Sequence, residues 1–121
     1  MLVRLLCCVA FSIMVLAPHS ARADCTTDIS KLMSKDTEKL TTRFNRVARQ
    51  AQQRGAGAKV LKEECRIARQ LKPRLEDQLA ALKPSGCAKD PRVGAMIADI
   101  VRGHEDDLAA ATKTAARSEC R

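Results

Sequence analysis

Residues 58–83 read AKVLKEECRIARQLKPRLEDQLAALK. Within them Leu61, Cys65, Ala68, Leu71, Leu75, Leu79 and Leu82 recur at intervals of three and four, which is the spacing of one apolar face of an α-helix. Val60 and Ile67 widen that stripe. Pro73 removes one backbone hydrogen bond and crowds the turn before it. The stripe keeps its phase across Pro73, so the spacing predicts one helix over 58–83, kinked near the proline. Glu64 falls inside the apolar sector. A carboxylate there either pairs with a basic residue at the core edge or marks a groove for a partner, and the structural pair is the favoured reading.

Working outward toward the N-terminus, Gly55-Ala56-Gly57 is a turn. Before it, Ile29, Met33, Leu40, Phe44, Val47 and Ala51 make a second stripe, with Thr37 filling its gap. This predicts a helix over about 28–54, with Thr26 or Thr27 as N-cap and Asp28 in the first turn. On the other side, Lys83-Pro84-Ser85-Gly86 is a turn. Asp90-Pro91, an N-cap followed by proline at the first helical position, opens a helix over about 90–117. Its stripe is Val93, Ile97, Ile100, Val101, Leu108, Ala111 and Ala115. Gly94 and Gly103 weaken it. The chain holds two Phe, no Trp and no Tyr, a composition that disfavours β-structure. Short connections place successive helices antiparallel. The expected fold is therefore all-α, an up-down-up three-helix bundle.

The first 23 residues have a different layout. Met1 to Arg4 is a short positive segment, Leu5 to Leu16 is uncharged and apolar, and Ala21-Arg22-Ala23 offers small residues at a cleavage site. This is the pattern of a secretory signal peptide over 1–23, leaving a single helical domain over 24–121. The apolar run is shorter than the roughly 20 residues of a membrane span, so no transmembrane anchor is expected after cleavage. The product is read as exported: periplasmic in a Gram-negative source, extracellular otherwise. Loss of Arg4 and Arg22 takes the formal charge from +8 for the whole chain to +6. Of six cysteines, Cys7 and Cys8 leave with the leader.

The remaining cysteines, Cys25, Cys65, Cys87 and Cys120, have long spacings with no CxxC, which favours disulfides over a metal site or a redox centre. In the bundle Cys25 and Cys87 lie at one end. Cys65 and Cys120 lie toward the other, so the pairing is Cys25–Cys87 and Cys65–Cys120. Cys65 sits about two turns below its end of the bundle, so the tail after Arg117 must fold back to meet it. Each bridge closes a loop of over 50 residues and stabilises by about 4 kcal/mol, against a usual total of about 5–15 kcal/mol.

The distinctive surface feature is basic. Lys31, Lys35, Lys39, Arg43, Arg46 and Arg49 fall within an arc of about 120° on the first helix at 100° per residue. Lys59, Lys62, Arg66 and Arg69 form another line on the second. These ten side chains are the candidate binding face for an anionic partner, either an envelope component or an acidic protein. Read structurally, the same rows are an ordinary solvated surface. Nucleic acid is not expected, because no aromatic residues interleave with the charges. His104, the only histidine left after cleavage, lies on the third apolar stripe. A pH-sensing role or a metal site with Glu105 or Asp107 competes there with a partly buried histidine holding one hydrogen bond. Glu105-Asp106-Asp107 reads as a solvated cluster, since consecutive helical residues point in different directions.

No nucleophile elbow, HExxH, phosphate loop or haem motif occurs, and no cofactor is implied. The expected function is that of a small exported, non-enzymatic helical protein binding an anionic partner or envelope surface through its basic face. The alternatives are a secreted inhibitor or accessory protein of an envelope enzyme, and an enzyme of unspecified type built around His104. The sequence sets no oligomeric state.

Overall fold

The computed structural model describes Cys25, Ile29, Ser30 and residues 33–121. The expected leader over 1–23, the N-cap candidates Thr26 and Thr27, and Lys31 of the basic row lie outside the described residues. The described elements are three α-helices, α1 (Lys35–Ala51), α2 (Ala58–Leu82) and α3 (Gly94–Ala115), with short 3-10 turns at Cys87–Lys89 and Ser118–Cys120. No strand occurs among the described residues.

The single helix expected over 28–54 is divided. Ile29 and Ser30 are helical, and the Met33 amide donates to the Ile29 carbonyl at 2.9 Å. Ser34 then turns extended (φ −68°, ψ 122°), and its hydroxyl accepts from the Thr37 amide at 3.4 Å. A serine that captures a first-turn amide starts a new helix more readily than it continues an old one. Asp36 and Glu38 sit in that first turn, where the helix dipole favours acidic side chains.

α2 runs unbroken through Pro73, which lies on the exposed side. Gly86 (φ 71°) then reverses the chain in the left-handed region that glycine adopts without strain. α3 starts at Gly94, later than the expected Asp90-Pro91. Asp90 instead holds a turn, its carboxylate accepting from the Arg92 amide at 2.8 Å and its carbonyl from the Gly94 amide at 2.7 Å. The delay has a steric cause. A Cβ on Gly94 would lie 2.5 Å from the Ala88 carbonyl oxygen, so the helix begins where the chain lacks a side chain and can press against the preceding 3-10 turn.

α2 is the central element. It packs against both α1 and α3, whereas contacts between α1 and α3 are sparse. Its buried face is wide and includes Cys65, Ile67, Ala68, Leu71, Leu75, Leu79 and Leu82. One apolar cluster gathers Phe44 and Val47 of α1, Ile67, Ala68, Leu71 and Leu75 of α2, and Ala111 of α3. A smaller one gathers Cys25, Ile29, Cys87 and Ile97. The disulfides are Cys25–Cys87 (Cα–Cα 5.6 Å) and Cys65–Cys120 (5.2 Å), the pairs derived from the helix order. The return of the tail to Cys65 is made by extended Arg117 (ψ 148°) and the turn Ser118–Cys120.

Candidate functional site

Nine of the ten basic candidates are described, and all nine are exposed. Lys35, Lys39, Arg43 and Arg46 border one shallow depression on α1. Arg43 also borders a second, with Lys59, Lys62 and Arg66 of α2. Lys62 and Arg66 continue into a third, with Arg69 and Arg121. The shared residues make these depressions one continuous band across α1 and α2. Arg121 was not among the sequence candidates. It arrives because the Cys65–Cys120 bridge ties the chain end to α2.

The join between the two helices is an ion cluster. Glu63 accepts from Arg43 Nη2 at 2.5 Å, and from Arg66 Nε and Nη2 at 2.8 and 2.7 Å. The Arg66 hydrogen bond holds the Glu63 carboxyl below the usual carboxylate range, and Glu63 in turn raises the already high Arg66 pKa. Exposed ion pairs contribute little stability, and the main effect here is positional. Glu63 fixes two guanidinium groups side by side and offsets one of their charges.

Arg49 is the exception among the candidates. It lies at the far end of the helical arc, facing α3. There it borders a separate depression with Lys113 and Arg117, whose wall includes Glu64. Glu64 is 3% exposed and pairs with Arg117, which comes from the segment just after α3. The favoured reading of Glu64, a pair with a basic residue, is met by Arg117. Burial of a carboxylate is tolerated where a cation and hydrogen bonds compensate it.

A third feature was not read from the sequence. Thr37, Thr41, Gln78, His104 and Asp107 help line a cavity of about 170 Å³ between α1 and α3, over α2. His104 Nε2 lies 2.8 Å from Gln78 Oε1. Burial raises the Asp107 carboxyl above its ordinary value, opposed by the nearby His104 and by a hydrogen bond from Asn45. Thr37 and Gln78 sit at apolar-phase positions of their helices, so only the packing reveals that they turn polar atoms toward one hollow. Among the described residues no group of three or more His, Cys, Asp or Glu side chains is arranged to hold a metal ion, and no helix is long and apolar enough to cross a membrane.

The chain matches no family model, no characterised protein and no solved structure.

Proposed function

We propose that this is an exported, non-enzymatic helical protein that binds an anionic envelope surface through the band formed by α1 and α2. The observation that carries the reading is continuity. Lys35, Lys39, Arg43, Arg46, Lys59, Lys62, Arg66, Arg69 and Arg121 border depressions that share members, and Glu63 ties the two helices' cations into one face. A continuous array of exposed cations suits a surface of many negative charges, because each contact is worth about 1 kcal/mol and the sum gives useful affinity.

Export is supported by the leader-like pattern over 1–23 and by two disulfides, which persist in oxidising compartments. An up-down-up arrangement is supported by cross-contacts of α2. Early Glu64 meets late Arg117, Gln78 meets His104, and Lys83, just after α2, meets Glu105. The start of α2 thus meets the end of α3, and the end of α2 meets the middle of α3, as in an antiparallel pair.

Flotation with phosphatidylglycerol vesicles at low salt tests the surface reading. Binding should be strong there, weaken steeply as salt screens the charges, and be absent from zwitterionic vesicles. No binding to anionic vesicles at low salt overturns it. An acidic protein, as for a secreted inhibitor, would then be the anionic partner to seek.

A further inference from the structure

The depression between α1 and α3 is chemically unlike the outer band. Its rim carries three cations from three segments, Arg49 of α1, Lys113 of α3 and Arg117 of the tail, and its single carboxylate is Glu64. The lining itself carries three cations and one carboxylate, and Glu119 stands beside Arg117 outside it, which leaves a local excess of one positive charge. Glu64 is buried and engages one edge of the Arg117 guanidinium, which fixes that cation at the wall instead of leaving it free to swing into solvent. Arg117 Nε is buried with no hydrogen-bond acceptor among the described residues, and Glu119 Oε2 stands 3.9 Å from it. The guanidinium is therefore held in place between two carboxylates. Phe44, Ala48 and Ala110 give the same hollow an apolar portion, and its volume of about 510 Å³ exceeds what one tetrahedral anion fills.

We propose that this hollow binds an organic phosphate monoester, with the dianionic phosphate held by Arg49, Lys113 and Arg117 and the organic part resting on Phe44 and Ala48. Arginine donors in a fixed fork suit phosphate oxygens. The site is distinct from the outer band, because Lys113 and Arg117 do not belong to that face and Arg49 borders this hollow and none of the band's depressions. The phosphate monoester can come from a soluble metabolite or from a lipid headgroup such as phosphatidic acid, and the same groups would recognise either.

The test is an amide NMR titration of the oxidised protein with glycerol 3-phosphate, against sodium chloride at equal ionic strength. Saturable shifts should gather at Asn45, Arg49, Lys113, Thr114 and Arg117. Lys113→Gln and Arg49→Gln change exposed side chains and keep the Glu64–Arg117 pair. Each should weaken binding about tenfold or more, as loss of a charge-assisted contact does. Phosphatidic acid vesicles that displace glycerol 3-phosphate assign the site to a lipid headgroup, and failure to displace it assigns the site to a soluble phosphate. Shifts no larger than those from chloride, or unchanged affinity in both variants, overturn the proposal. Shifts centred on Lys35, Lys39 and Lys62 place the anion on the outer band and overturn it too. The outer-band reading fails separately, through vesicles lacking phosphate monoesters.

Discussion

Removing the Arg117 cation should be among the most damaging single changes in this protein. The Glu64 side chain is 4% exposed, and that of Arg117 is 36% exposed. Arg117→Met keeps most of the side-chain volume and strands a buried carboxylate. Truncating one partner of a buried pair costs about 3–5 kcal/mol. Water reaches the Arg117 end, so the lower bound applies, about 3 kcal/mol. At about 4–8 °C per kcal/mol for a domain of this size, the melting temperature should fall by about 12–24 °C. Glu64→Leu leaves the opposite orphan, a guanidinium that can turn to solvent, and should cost only about 1 kcal/mol. The double variant has neither charge and should lie within about 1 kcal/mol of the parent, because an apolar replacement of a buried pair is often neutral. Urea unfolding followed by circular dichroism at neutral pH, with both disulfides intact, gives the four stabilities of the cycle. A loss below about 1 kcal/mol in Arg117→Met, or a double variant as unstable as that single one, would refute the pair as a buried, coupled unit.

The other expectations are briefer. Gly94→Ala should destabilise by about 1–3 kcal/mol, because its Cβ would meet the Ala88 carbonyl oxygen at 2.5 Å. Gly103→Ala meets nothing within 4 Å and should stabilise by up to about 1 kcal/mol, so thermal melts of the two variants should move in opposite directions. Replacing Cys65 and Cys120 together by Ala opens a loop with a sequence separation of 55 and should cost about 4 kcal/mol in the chain-entropy model; denaturant midpoints unchanged from the parent would contradict that. The Asp107 carboxyl is raised from 3.8 chiefly by burial. The native state therefore keeps its proton to higher pH than the unfolded chain, and this group's contribution to stability declines as pH rises through that window. A carboxyl carbon NMR titration should place its midpoint above 3.8, and a midpoint at or below that value would refute the burial argument.

The helices were legible because apolar residues recur at helical intervals in three separate stretches, and the cysteine pairing followed from helix order alone. The break at Ser34 was not, because Ile29, Met33 and Leu40 stay in phase across it while the decision is made by one side chain reaching the Thr37 amide. The late start of α3 has the same character. Asp90-Pro91 is a sound opening signal, but the close approach of Ala88 to Gly94 outweighs it, and no local pattern encodes that approach. The basic rows could be read from periodicity. Their division could not: Arg43 is drawn to α2 by Glu63, and Arg49 to the α3 side. The cavity beside His104 and the hollow beside Arg117 both arise because α1 and α3 pack on α2 more closely than on each other, a relation between elements that no single stretch records.

The outer band is tested most directly by changing its charge without touching the core. Lys35, Lys39, Lys59 and Lys62 are all exposed, so a variant with Gln at these four positions should fold and melt as the parent does. At about 1 kcal/mol for each lysine at an anionic surface, its partition onto phosphatidylglycerol vesicles at low salt should fall by between about tenfold and a thousandfold. Partition within about twofold of the parent would contradict the assignment of that face as the binding surface.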